Sequence, residues 1–132
     1  MTVAASPLQC FTVSHLNEDD FKTGGLRSYS SYRDLGIATA THGLATGHVI
    51  RMIAPFSEGF SQRHHHEVQF QLAYVLKGWF KTEFEGHGVQ TMTEGSCWIQ
   101  PPGIRHTVLG WSDDCELLEV ILPAEHATVV DA

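Results

Sequence analysis

Through most of the chain, apolar and polar residues alternate with a period of two and do not recur every three or four positions. Residues 68–76 set Phe70, Leu72, Tyr74 and Leu76 on one side and Gln69, Gln71, Ala73 and Val75 on the other. After Lys77-Gly78, residues 79–85 repeat the pattern, with Phe80, Thr82 and Phe84 opposite Lys81, Glu83 and Glu85. Successive side chains of an extended strand point to opposite faces, so this alternation predicts β-strands. Turn residues punctuate the rest: Gly86-His87-Gly88, Glu94-Gly95, Pro101-Pro102-Gly103 and Ser112-Asp113-Asp114. Between them, residues 89–92, 97–100, 106–109 and 116–122 read as further short strands.

Upstream, residues 35–41 are rich in small and β-branched side chains and read as extended, with a turn at His42-Gly43. Residues 47–54 read as a strand that ends before Pro55. The first thirty residues are weakly patterned. Asn17-Glu18-Asp19-Asp20 can begin a short turn or helix with Phe21 beneath it, and Gly24-Gly25 with the Ser- and Tyr-rich residues 28–32 read as a loop or edge segment. Residues 124–132 read as a short tail. Many short strands, glycine-rich turns and no alternating helices predict an all-β sandwich or barrel. The expectation is a single domain over 1–132, with the barrel core at roughly 33–122.

Composition narrows the function more than the fold. The formal charge of −7 and only eight Lys and Arg residues argue against a phosphate-binding surface, so no nucleic-acid partner is expected. No apolar run reaches the ~20 residues of a membrane span, and the first residues lack the pattern of a secretory signal. Three cysteines without a CxxC pair favour reduced thiols, hence a cytoplasmic protein.

Nine histidines are the chemical signal. In His64-His65-His66, positions i and i+2 of a strand share a face, so His64 and His66 aim at one point. Gln71 lies five residues beyond His66, the wrong parity for one flat strand, and a turn or bulge between Glu67 and Phe70 is needed to bring it alongside. The bend at Pro101-Pro102-Gly103 can swing His106 inward as a fourth donor. Imidazole and amide donors of this kind suit a divalent first-row metal. Competing readings are a solvated polar run for residues 64–66, a hydrogen-bonding role beside the ion for Gln71, and a backbone-satisfied buried ring for His106.

The same two stretches resemble the paired motifs of the cupin superfamily. The first motif runs Gly, five residues, His-x-His, three or four residues, Glu, six residues, Gly. Here Gly59 is followed by four residues, His64-x-His66, four residues, Gln71, six residues and Gly78. The second motif runs Gly, five residues, Pro-x-Gly, two residues, His, three residues, Asn. Here Gly95, Pro101-Pro102-Gly103 and His106 match, Gln71 replaces the glutamate, and Gly110 stands where Asn is usual.

The resemblance implies a cupin-type antiparallel β-barrel (a double-stranded β-helix or jelly roll), commonly a homodimer, with metal ligands His64, His66, Gln71 and His106. It implies a mononuclear non-haem enzyme similar to the three-histidine cupin dioxygenases: iron(II) favoured, with Mn, Ni, Co or Zn as possible occupants, and an enolisable or anionic small-molecule substrate such as a β-diketone. It also resembles small cupins that isomerise, tautomerise or open unsaturated sugar acids without O2. A non-catalytic, small-molecule-binding cupin is the third reading. Arg51, in an otherwise apolar strand, either faces solvent or turns inward to hold an anionic substrate. Arg63 and Arg105 are weaker candidates for that role. Trp98 is a candidate substrate contact. Tyr74, Trp79, Phe80, Phe84 and Trp111 are expected in core or pocket, and Cys97 as a small buried residue. His15, His42, His48, His87 and His126 are expected at the surface or in turns.

Overall fold

A computed structural model describes residues 8–23, 28–60 and 62–131. The Gly24-Gly25 part of the expected loop lies outside these residues. The chain forms ten strands: β1 (Ser30–Asp34), β2 (Thr46–Met52), β3 (His64–His66), β4 (Phe70–Lys77), β5 (Trp79–Phe84), β6 (Gly88–Thr93), β7 (Cys97–Ile99), β8 (His106–Trp111), β9 (Glu116–Leu122) and β10 (Thr128–Val130). They build two antiparallel five-stranded sheets, ordered β1-β2-β9-β4-β7 and β10-β3-β8-β5-β6. The sheets face each other as a jelly roll. Among the described residues no strand pairing joins them, so the expected barrel is a two-sheet sandwich and not a closed ring.

The period-two pattern decides what lies between the sheets. Gln71, Ala73 and Val75 of β4 are buried, whereas Phe70 and Tyr74 on its other face are exposed. On β5 the buried set is Phe80, Thr82 and Phe84. Burying these side chains at roughly 25 cal/mol per Å² of apolar surface is the main force holding the layers together. Gly78 links β4 to β5 at φ +71°, and a Cβ there would run into Ser112 and Asp114, so this turn needs glycine.

Several expectations are corrected. Residues 35–41 hold one helical turn, Ile37–Ala40, not a strand. The Asp34 carboxylate accepts from the Gly36 N–H (2.9 Å) and the Thr41 hydroxyl donates to the Ile37 carbonyl (2.8 Å), and such local hydrogen bonds leave no trace in periodicity. Residues 28–32 lead into the edge strand β1, in line with the edge reading, whereas the expected tail contains β10, which pairs with β3 from Thr128↔His66 to Val130↔His64. Three residues are too short for alternation to register. Cys97, Tyr74 and Trp79 are exposed, because each occupies the outward parity of its strand.

Candidate metal centre

Strand register brings three of the predicted donors together. His64 pairs directly with His106 across β3 and β8, and His66 follows His64 on the same face. The ring centroids are 4.1 Å apart for His64 and His106, 5.0 Å for His64 and His66, and 5.1 Å for His66 and His106. One ring nitrogen of each lies within 4.8 Å of the others, a cluster able to hold a metal ion. The bend before β8 is tied to this strand, since the Gly103 N–H donates to the His66 carbonyl (3.1 Å) and Gly103 takes φ +75°.

The opposite ring nitrogens set the tautomers. A carbonyl can only accept, so Nδ1 of His64 donates to the Gln62 carbonyl (2.8 Å) and Nδ1 of His106 to the Ile104 carbonyl (3.1 Å). In the neutral rings Nε2 is then the lone-pair donor. Nδ1 of His66 is held at 2.9 Å by the Thr128 hydroxyl. These rings therefore fit a metal by chemistry as well as position, and the polar-run reading of residues 64–66 falls away.

Gln71 approaches the cluster from the other sheet and is linked to it through Gln100. β3 ends at His66 and β4 begins at Phe70, so the chain changes sheets between the motif halves and the flat-strand parity does not apply. The Gln71 side chain is buried, and its Nε2 donates to Oε2 of Glu119 (3.1 Å). A carboxylate on that side fixes the amide, so Oε1 faces the other way, toward Gln100 Nε2 (3.4 Å). That nitrogen also lies 3.3 Å from His106 Nε2.

Sequence reasoning missed four groups here: Glu119, Gln100, and two histidines expected at the surface or in turns, His48 and His126. Glu119 on β9 accepts from Gln71 and from His48 Nε2 of β2 (2.9 Å). Burial alone raises its pKa, but the hydrogen bonds from His48 and Gln71, with nearby His48 and His66, outweigh it and hold the carboxyl below its ordinary value. A lone acid in the apolar run Leu117-Leu118-Glu119-Val120-Ile121 was the available signal. Gln100 is buried, and its Oε1 accepts from Trp98 Nε1 (3.2 Å). His126 has its ring 6.3 Å from that of His66 and Nδ1 on the Pro123 carbonyl (3.1 Å). Only fold closure brings β2 and the C-terminal segment here.

These groups line a cavity of about 270 Å³ between the sheets. Its far end is aromatic: Trp111 stacks on Tyr29 (4.9 Å) and Phe80 (6.5 Å), and Phe80 on Trp98 (6.2 Å). Trp98 thus lines the cavity, as does Trp111. No lysine or arginine does so among the described residues. Arg51 sits outside, paired with Glu18 (2.6 Å) and Glu116 (3.6 Å) and lying over the Phe21 ring, which corrects its placement as an inward substrate contact. Its parity on β2 is opposite to that of Ile50 and Met52, which face the core. Arg63 pairs with Glu83, and Arg105 with Glu85 and Asp131.

A jelly roll carrying a three-histidine cluster at one end of its interior defines a metal-binding cupin. Residues 51–121 match the cupin domain, and the chain belongs to the cupin family. No curated protein matches it in sequence. Among solved structures it is similar to the polyketide cyclase RemF from Streptomyces resistomycificus (TM-score 0.70, 19% identity, 92% of this chain and 87% of that one). It is also similar to KdgF from Halomonas sp. (TM-score 0.64, 17% identity, 85% and 96%). A salicylate 1,2-dioxygenase variant from Pseudoaminobacter salicylatoxidans matches over 81% of this chain and 30% of its own (TM-score 0.61, 10% identity). At these identities the likeness is one of fold.

Proposed function

We propose that this chain is a mononuclear, metal-dependent cupin enzyme that cleaves a small enolisable 1,3-dicarbonyl compound with dioxygen, using iron(II). One observation carries the reading: three histidines cluster, with the Gln71 amide linked to them through Gln100 and no carboxylate in the cluster itself, at one end of a cavity whose other end is aromatic and which no lysine or arginine lines among the described residues. Such a donor set leaves a divalent ion its full charge. The ion supplies Lewis acidity toward paired enolate oxygens and, as iron(II), access to dioxygen. The chain supplies the rest. Gln62, Ile104 and Thr128 hold the rings, Glu119 turns the Gln71 oxygen inward, and the aromatic walls exclude water from the reacting carbonyls.

A second reading has its own observation. His126 donates Nδ1–H to a carbonyl and lines the cavity beside the cluster, so its Nε2 is a base within the same space. That arrangement suits O2-independent proton transfer, a tautomerisation or an aldol-type cyclisation, and the polyketide cyclase among the similar folds is in keeping with it. A sugar-acid substrate is supported less, because beyond the ion itself its carboxylate would meet no lysine or arginine among the described residues lining the cavity.

The test is O2 uptake by protein reconstituted anaerobically with iron(II) and given a panel of β-diketones, with His106→Ala as control. Uptake that requires diketone, iron and His106 supports the dioxygenase. Diketone consumed without O2 moves the assignment to proton transfer. Tight diketone binding with neither outcome leaves a binding protein.

We also propose that the chain is a homodimer. Its extended arm exposes Leu8 (74%), Phe11 (94%) and Leu16 (64%) while remaining tied to the body by the Cys10 N–H to the Ala40 carbonyl (2.8 Å) and by Arg33 to Ser14. Apolar side chains on a tethered arm suit contact with a second copy. Three free cysteines suit a reducing, cytoplasmic setting.

A further inference from the structure

One side chain of the cavity wall carries a buried polar atom without a partner. Thr82, at the centre of β5, is 1% exposed and lines the cavity, and its hydroxyl makes no hydrogen bond within the protein. A buried hydroxyl normally finds a partner, because leaving it unpaired costs its desolvation. The backbone at this point is also irregular. Phe80 pairs with Trp111 and Lys81 with Gly110, but Thr82 pairs with Val108, so Leu109 is bulged out of the β5–β8 ladder. The bulge changes the parity of β8, which lets His106 and Val108 on one side of it and Trp111 on the other all face the interior. It leaves three cross-strand levels on this wall: Phe84 with His106, Thr82 with Val108, and Phe80 with Trp111. Thr82 therefore stands one inward pair, about 7 Å, from the histidine level and just short of the aromatic end.

We propose that the Thr82 hydroxyl is a substrate-recognition group that hydrogen-bonds an oxygen on the body of an aryl 1,3-dicarbonyl whose dicarbonyl end lies at the histidine cluster. This rests on the dicarbonyl reading above and adds the substrate class: an oxygenated aromatic ring set one strand level beyond the chelating oxygens. The cross-strand neighbour at that level, Val108, is apolar, so a ring oxygen there has Thr82 as its hydrogen-bonding group on this wall, and a ligand lacking the oxygen leaves the hydroxyl unpaired. Discrimination of this type is strong because it penalises the wrong ligand as well as favouring the right one.

The experiment uses the full chain loaded with zinc(II), which holds the site without redox turnover. Calorimetry compares 1-phenylbutane-1,3-dione with its ortho-, meta- and para-hydroxyphenyl analogues. Wild type binds one hydroxylated isomer about tenfold more tightly than the parent. Thr82→Val, which keeps the shape, loses that preference with little change in affinity for the parent, and Thr82→Ser keeps it. Unfolding of the metal-free, ligand-free protein gives a second readout. Removing an unpaired buried hydroxyl raises the Thr82→Val midpoint by about 4 °C, whereas removing a structural one lowers it. A preference that survives in Thr82→Val, or a lowered midpoint, overturns the role. If the parent binds but no hydroxylated isomer is preferred, the role of Thr82 falls and the dicarbonyl reading stands. If wild type binds no diketone at all, both fall.

Discussion

The two ends of the interior are built on opposite plans. At the histidine end the polar side chains are anchored: two rings donate to carbonyls, one meets a threonine hydroxyl, and the Gln71 amide is turned by Glu119. At the aromatic end, Tyr29, Phe80, Trp98 and Trp111 pack ring on ring, and the nearby Thr82 hydroxyl is unpaired. The first end spends its hydrogen bonds on aiming donors, and the second holds the sheets together. Chemistry and stability are therefore separable by mutation, to an extent that can be measured.

The largest effect is expected from removing a donor. His64→Ala or His106→Ala should abolish metal binding by elemental analysis, while the metal-free protein keeps its β-type circular dichroism. Loss of that spectrum would show that the cluster is part of the core. Trp111→Ala tests the other end. This side chain is buried, donates Nε1–H to the Ala54 carbonyl (2.9 Å) and touches rings on several elements. Chemical denaturation should register a loss of about 3–5 kcal/mol, with metal affinity unchanged wherever the variant is folded.

Glu119→Gln sharpens the comparison within the polar end. The amide can no longer dictate which way Gln71 turns, and metal affinity should fall about 10- to 100-fold with a much smaller change in stability. The C-terminal strand gives a pH test. Hydrogen bonding from His65, with Arg105 adding to it, holds the Asp131 carboxyl below its ordinary value despite some opposing desolvation. A lowered folded pKa means that this contribution is present above the unfolded value and is lost as pH falls through the folded one. Amide protection along β10, measured against the intrinsic exchange rate at each pH, should thus fall in acid before that of the β5–β8 ladder, and an equal loss in both would contradict it. The smallest effect concerns thiols. Burial, with Asp114 and Glu116 adding to it, pushes Cys115 up to about 12, so at pH 8 alkylation should modify Cys10 and Cys97 and spare Cys115 until the protein unfolds.

How far the site was legible depended on whether a donor's position follows from its own strand. His64 and His66 did, because parity places them together without any knowledge of their neighbours. Gln71 was legible as a residue but not as a geometry, since its odd spacing makes sense only once β3 and β4 are seen to lie in different sheets. Arg51 looked like an intruder in an apolar strand, yet its outward parity sends it to Glu18 and Phe21. Glu119, a similar intruder, has the inward parity and lies beside Gln71.

Residue order alone determined the strand faces, the turn positions and the supply of imidazole donors, because these depend on contacts between near neighbours and on backbone stereochemistry. Only the tertiary structure decided that β10 flanks the histidine strand, that His48 and Glu119 pair across β2 and β9, that Gln100 bridges Gln71 and His106, and that a bulge at Leu109 sets Thr82 opposite Val108. Each of these is a register between segments far apart in the chain. Register is selected by the packing of the whole interior, and no local pattern encodes it.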